Sequence, residues 1–548
     1  MNEPLRVGVM IPGMRLPRWV VECLIDIQRG DYAKITAILV PDSSNDSVVD
    51  CYRGVSADGS YFDYVTRDHQ RHAREPDALA PVDATAILDG VPVVDPPSQS
   101  DRKLDLIVVL ACAGSAAAFR EVTGPEVWAF RYGTAGKPQG YFDEVAGASK
   151  AADLALVVRG HNGNCDQVLD RTRLLVNDRS LWATRNPILW NARAVLRRNL
   201  QRLHRDGRMA FHRQAESRFG LPPAIASTPK TSAPTRFKML AFRATMEFRR
   251  LLVPYFMIRD QWQIALRRRG PDDPAWGSDR WYRGFRFLKA PHDRFWADPF
   301  LFKRGDETWL FFEDYCWIAG RARISCARLG PDGDLGPVMV ALDKPYHLSN
   351  PLIFERDGEI LMIPETMAQR RVEIYRCREF PTRWELVATP IQDLDIADPC
   401  VIHHDGRWWL FAAVAEFGCL GWEDLHVFWA DDLAGPWQAH MCNPVISDVG
   451  AARPGGRMFV RDGTLHRLAQ DSAGGYGSAL RLWAVEELSP TGYRQREVAA
   501  LDPFKFGMNG VHAYDFTDEF ETIDGRHYQA VLGKWRVKWP FPRWMGKN

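Results

Sequence analysis

Apolar residues near the start of the chain fall in short unbroken runs. RVGVMI (6–11), KITAILV (34–40) and LDLIVVLAC (104–112) are three of them. Runs of this length suit strands buried on both faces of a parallel sheet. Pro12-Gly13 marks a turn after the first run, and 17–28 spaces its apolar residues as an amphipathic helix. The segment therefore predicts an α/β domain with a Rossmann-like crossover. No G-x-G-x-x-G follows the first strand, and Gly8 with Gly13 is weak evidence for a dinucleotide.

The period then changes. Leu196, Leu200 and Leu203 recur at i, i+4 and i+7 with arginines between them, which predicts a helix within 192–219. LPPAIASTPKTSAPT (221–235) reads as a linker, and a second basic amphipathic stretch covers 236–269. From about residue 276 the pattern turns to alternating strand-like segments, Asp-Gly turns and frequent tryptophans. The chain divides accordingly into an α/β domain (1–190), a basic helical hinge (191–275) and an all-β domain (276–548).

One element repeats in the last part. WADPFLFKRGDETWLFFED carries Asp298-Pro299, SNPLIFERDGEILMIPE carries Asn350-Pro351, and IADPCVIHHDGRWWLFAAV carries Asp398-Pro399. ARPGGRMFVRDGTLHRLAQD carries Arg453-Pro454, and a looser fifth copy carries His512. The successive spacings are 52, 48, 55 and 59 residues. A period near 50 with several short strands per copy predicts a β-propeller, and five copies predict five blades.

Composition narrows the class only a little. The 548 residues are 46% hydrophobic and 25% charged, as in an ordinary globular protein. The net charge of +1 argues against a nucleic-acid binder. It conceals an asymmetry, because 191–270 holds 18 Lys/Arg against 4 Asp/Glu. That hinge and the basic, Trp-rich tail GKWRVKWPFPRWMGKN are the candidates for peripheral contact with a membrane face. Ten cysteines without a C-x-x-C pair fit reduced thiols. The N-terminus shows no signal-peptide pattern and no run reaches about 18 apolar residues, so a cytoplasmic location is expected.

In a propeller the first strand of each blade lines the central channel. Asp298, Asn350, Asp398, Arg453 and His512 are therefore expected on one ring around the axis. Carboxylates facing a common polar cavity suit glycosidic chemistry, in which one acid protonates the leaving oxygen and another acts as base or nucleophile. Glu365, Glu416 and the pair Glu313-Asp314 sit at strand ends and join the candidate acids. Asp-Pro and Asn-Pro are also ordinary strand-entry turns. Trp296, Trp309, Trp408, Trp409 and Trp422 divide between packing among blades and stacking on a sugar, with Trp296 nearest the ring.

The propeller half resembles the five-bladed arabinanase, levansucrase and invertase group. Asp298 in WADPFLF matches the first acid of family 43 glycoside hydrolases, and Asp398 in IADPCVI the second. Glu365 or Glu416 stands for the general acid, and His512 for a channel histidine that holds a metal or water. HLSNPLIFERDGEILMIPE and SDVGAARPGGRMFVRDG are similar to the N-terminal region of plant glucosamine inositolphosphorylceramide transferases. Those proteins carry a separate glycosyltransferase domain after this region, so glycolipid transfer enters as context.

LDLIVVLACAG followed by EVWAFRYGTAGKPQGYFDEV resembles the N-formyltransferase domain. Active members carry N-x-H-x-S there, and the overlay puts Ala129 at the Asn, Arg131 at the His and Gly133 at the Ser. The family's later Asp falls near Asn164. Arginine stays charged and cannot act as base, and alanine gives no donor to an oxyanion. A folate cofactor is therefore not expected, while Arg131 is a candidate for binding phosphate or carboxylate. The resulting expectation is a carbohydrate-active enzyme of surface glycan or glycolipid biosynthesis, its substrate a carbohydrate or glycolipid. Asp298, Asp398, Glu365 and Glu416 would be catalytic, and Asn350, Arg453, His512, Trp296 and Arg131 would bind substrate. A metal at the axis is compatible with this set. The alternatives are a glycan or headgroup-binding module on a formyltransferase-like scaffold, and an N-formyl or acyltransferase acting on an amino sugar.

Overall fold

The computed structural model describes residues 3–40, 59–94, 104–110, 125–133, 141–147, 149–159, 166–219, 244, 257–270 and 273–531. They form two compact units, one within Met1–Arg249 and one within Arg250–Glu416 and Leu420–Lys547.

The first unit is built on a seven-stranded mixed sheet. Its strands run in the order Val93–Val94, Ala33–Leu39, Leu5–Met10, Leu106–Val109, Glu126–Tyr132, Ala151–Val158, Gln167–Leu175. The first five are parallel and the last two antiparallel. The two apolar runs at the start of the chain become its central neighbours, because strands covered on both faces need no alternation. Helix Arg18–Arg29 buries Trp19, Val20, Cys23, Leu24 and Ile27, as its spacing predicts.

The basic helix is longer and less exposed than its composition suggests. It runs Leu181–Asp206, capped by Ser180 Oγ, which accepts from Ala183 N at 3.0 Å, and Arg208–Phe219 follows as a second helix. Its arginines turn inward. Arg193 donates to both oxygens of Asp26 at 2.7 and 2.8 Å, and Arg198 Nε donates to Asp170 Oδ2 at 2.7 Å. Part of the expected basic strap is thus consumed inside the first unit. The linker and the tail lie outside the described residues.

The second unit is a closed five-bladed β-propeller. Blade one holds Arg294–Arg304, Glu307–Cys316, Arg321–Leu329 and Met339–Leu342. Blade two holds Ser349–Arg356, Glu359–Glu365, Arg371–Glu379 and Arg383–Gln392. Blade three begins with Asp395–His404 and blade four with Phe459–Arg461. Blade five is composite. Tyr514–Phe516 pairs with Phe520–Val531, which pairs with Met257–Arg268, whose outer neighbour is Arg286–Phe287.

Residues 257–268 therefore differ from the helical expectation. Trp262 and the whole run Ile264 to Arg267 are buried, as in a strand covered on both faces. Pairing over twelve residues, from Met257↔Val531 to Arg268↔Phe520, completes the fifth blade from two distant stretches of chain and so ties the ring together. The expected interblade packing is found for Trp309, Trp408 and Trp409, which join one apolar cluster with Phe311, Ile353 and Leu410.

Candidate active site

The repeat works through a backbone device. Asp298, Asn350 and Asp398 adopt left-handed conformations, with φ of 47°, 44° and 47°. Each sits where the register between its blade's first two strands shifts, at Ala297/Phe300, Ser349/Leu352 and Ala397/Cys400. Asp and Asn are the non-glycine residues that tolerate this region best. The proline that follows lacks an N–H, which a bulge leaves unpaired anyway. Such strain costs about 1–3 kcal/mol per residue and persists only where the surroundings enforce it. Its effect is to take one polar side chain of each of the first three blades out of the sheet's alternation and join it to its neighbours on the adjoining blades.

The joined side chains make a continuous network. Asp524 Oδ1 accepts from the backbone N–H groups of His512 and Ala513, both at 3.0 Å, and its Oδ2 accepts from Asp298 N at 3.1 Å. Asp298 Oδ2 accepts from Asn350 N at 3.0 Å, and Asn350 Nδ2 donates to Pro399 O at 3.3 Å. Glu365 Oε2 accepts from Asp398 N at 3.3 Å. Arg453 Nε and Gln470 Nε2 both donate to Asp398 Oδ2, at 2.6 and 2.7 Å. All five blades contribute, and every member is buried.

Charge is distributed unevenly over this network. Burial works against ionisation of Asp398, but Arg453 overcomes it and holds that carboxyl below its usual range. Burial and the neighbouring Asp398 push Glu365 well above its ordinary value, and burial with Asp298 does the same to Glu313. Burial, opposed by His512, leaves Asp298 pushed up to about 6. For His512 burial opposes the charged ring, yet Asp524 and Asp298 raise its affinity for the proton. The site thus holds carboxylates of opposite tendency side by side.

His512 stands between two acids. Its Nε2 is 3.2 Å from Asp298 Oδ1 and its Nδ1 is 2.6 Å from Asp524 Oδ2. The second contact is short but poorly aligned with the ring N–H, so it counts as an ion pair rather than a directed hydrogen bond. Asp298, His512 and Asp524 also bring three potential metal-ligand atoms within 4.8 Å of one another. A histidine ligand must be neutral. The set suits a cation only once His512 gives up its proton, whereas with it the three close on themselves as Asp–His–Asp.

A second histidine faces Glu313. His347 Nδ1 accepts from Ala322 N at 3.2 Å, which places the ring proton on Nε2, 3.5 Å from Glu313 Oε1. Burial and the nearby Arg453 push His347 down to about 4.

Six of the residues expected at the site come together: Asp298, Asn350, Asp398, Arg453, His512 and Glu365. Glu416 does not join them. It lies half-buried just beyond the end of strand Arg407–Ala415, away from the bulge positions. Trp296 is not a sugar platform. It is 5% exposed, donates from Nε1 to Asp314 Oδ1 at 3.2 Å and packs on Phe312 in an apolar cluster with Ile264 and Leu301. Asp314 is occupied in turn by Arg294, Arg323 and Ser325. Arg131 is exposed on strand Glu126–Tyr132, opposite Ala155, while Asn164 lies outside the described residues.

Asp524, Gln470, His347, Tyr476 and Trp262 were not singled out from the sequence. For two glutamates already among the candidate acids, strand register adds a relation. Glu313 and Glu365 face Ala297 and Ser349, the residues that precede Asp298 and Asn350, so both occupy one point of the repeat. Trp262 lay hidden in the stretch read as helix. Its ring is 4.0 Å from that of His512, beside Tyr476.

Fold and site together define a five-bladed β-propeller with a buried, acid-rich polar network shared by all its blades. Comparison with known proteins sharpens this. Residues 289–516 match the family described as glucosamine inositolphosphorylceramide transferase 1, N-terminal. Glucosamine inositolphosphorylceramide transferase 1 of Oryza sativa subsp. japonica is 36% identical over 248 residues, 44% of this chain and 32% of the rice protein. The protein of that name from Arabidopsis thaliana is 34% identical over 231 residues, 40% of this chain and 30% of its own length. The chain thus spans about a third of the curated relatives it matches. Among solved structures, an exo-beta-1,3-galactanase from Clostridium thermocellum aligns with a TM-score of 0.33 at 16% identity, covering 44% of this chain and 60% of that one. A thermostable family-43 glycoside hydrolase aligns with a TM-score of 0.29 at 16% identity, covering 37% and 74%.

Proposed function

We propose that the propeller is a carbohydrate-processing module acting on a glycan or glycolipid through the acids of its polar network. The observation that carries this reading is the pair Asp398 and Glu365. Arg453 keeps one ionised, while burial beside that anion keeps the other protonated. An anion and an acid in one buried site are what breaking or making a glycosidic bond uses. Asp298 is the base or nucleophile, Asp398 orients the sugar and sets its neighbours' proton affinity, and Glu365 donates the proton to the leaving oxygen. The names of the matching plant proteins, which specify glucosamine and inositolphosphorylceramide, support an amino sugar or an inositol phospholipid headgroup as the substrate class.

The first unit has a supporting role in this reading. Ala129 and Arg131 replace the amide and imidazole that formyl transfer needs in the family it resembles. A second reading has an observation of its own. Arg453 and Gln470 both occupy Asp398 Oδ2, as in a site that holds a ligand without turning it over.

Asp298→Asn distinguishes the two. Assayed on aryl glycosides and nucleotide sugars, the variant is expected to lose at least about 100-fold in kcat. Turnover equal to wild type rejects the assignment of Asp298. Saturable sugar binding with no turnover in either protein supports the binding reading instead.

A further inference from the structure

The loop DSAGGYGSA (471–479) of blade four carries a residue that the repeat does not explain. The ring of Tyr476 is half-buried among four groups. The Arg453 guanidinium lies 5.1 Å from its centroid, the His512 ring 5.4 Å, Trp422 5.6 Å and Trp262 6.2 Å.

The backbone beneath this ring is fixed. Arg526 Nη1 donates to Tyr476 O at 2.8 Å, and Ser478 Oγ donates to Asp471 O at 2.6 Å. Gly477 has φ of 58°, and a Cβ there would stand 2.7 Å from Trp262 Cη2 and 3.0 Å from His512 Cβ. Only glycine lets the loop lie this close, so the loop presents Tyr476 in one place rather than sweeping it about.

The hydroxyl is different. It is not sealed inside the fold, so a ligand can reach it. Tyr476 Oη donates to none of the described residues, although Arg453, Asp398, Asp298 and Glu313 all act on it electrostatically. Burial and the surrounding acids disfavour the phenolate, so the group is a donor at any ordinary pH. A neutral donor complements a site made mostly of acceptors.

We propose that Tyr476 is a substrate-contacting residue of the acid site, its ring forming with the half-buried Trp422 the apolar wall for a sugar, backed by the buried Trp262, and its hydroxyl donating to a sugar oxygen. This rests on the carbohydrate reading and names the class: a pyranose with one apolar face on the aromatic wall and its hydroxyls toward the acids. Phenylalanine at 476 keeps the ring contacts and removes only the donor.

The test is ligand-observed NMR titration of the full chain with glucosamine, glucose, galactose, xylose and arabinose as probes. Wild type is expected to bind at least one of them. Tyr476→Phe should weaken that binding about fivefold or more, with Tm unchanged. Tyr476→Ala should weaken it further. Undiminished binding by Tyr476→Phe overturns the donor role alone, and undiminished binding by both variants overturns the wall as well. Failure of wild type to bind any probe overturns this proposal together with the carbohydrate reading.

Discussion

Arg453 Nε lies 2.6 Å from Asp398 Oδ2, and its Nη2 lies 3.4 Å from Glu365 Oε2. One guanidinium from blade four thus ties together acids from blades two and three. Arg453 is 8% exposed and Asp398 3%, so water replaces little of this interaction if it is cut. Truncating one partner of a buried pair leaves the other charge uncompensated, at a cost of about 3–5 kcal/mol. Arg453→Ala is therefore expected to destabilise the propeller by that amount in urea denaturation. Arg453→Met combined with Asp398→Asn removes both charges, keeps a residue that tolerates φ of 47° and an oxygen for Gln470, and should recover much of the loss. If the double variant is no more stable than the single one, the two residues are not coupled as described.

Asn350 offers a separate measure of the backbone device. At φ of 44° an alanine meets the clash that disfavours left-handed conformations, worth about 1–2 kcal/mol, whereas glycine does not. Both substitutions lose the same donor to Pro399 O. Asn350→Gly should accordingly be more stable than Asn350→Ala by about 1 kcal/mol. Equal stabilities in paired urea titrations would show that the bulge relaxes when its side chain is removed.

The same bulges explain how much of the site could be read from the sequence. Asp298-Pro299, Asn350-Pro351 and Asp398-Pro399 repeat because each of the first three blades places at its bulge one residue that tolerates positive φ and one that lacks an N–H. The ring and the blade count were legible in that repeat. Asp524 was not, because it lies in the strand after its ring residue, whereas Glu313 and Glu365 were legible as strand-end acids and strand register makes them equivalent. Trp262 was obscured by its neighbours. The arginines around 257–268 suggested an amphipathic helix, and the strand became visible only with its closing partner in place. Trp296 was misjudged for the opposite reason. Nearness to Asp298 in sequence does not carry across the bulge, and its indole packs into the apolar core.

Glu365 and Asp398 should give pH dependences of opposite sign. The carboxyl of Glu365 is harder to ionise in the folded chain than in the unfolded one, because burial and Asp398 oppose its charge. Its contribution to stability is complete below the ordinary glutamate value and is lost as pH rises through the higher folded value. Asp398 behaves in reverse. Arg453 holds it ionised, so its contribution is present above the ordinary aspartate value and is lost as pH falls through the lower folded one. Glu365→Gln mimics the protonated acid and retains an oxygen to accept from Asp398 N. The variant should match wild type at about pH 4 and exceed it increasingly toward pH 8, by about 1 kcal/mol or more, since a tenfold change in proton affinity is worth about 1.4 kcal/mol. Asp398→Asn should show its largest deficit at neutral pH and lose that deficit in acid. Urea titrations at pH 2 and 3 read the Asp398 trend, and titrations at pH 4, 6 and 8 read that of Glu365. A stability difference for Glu365→Gln that is the same at all three values would mean that this glutamate ionises as freely in the folded protein as in water, and it would remove Glu365 as the proton donor.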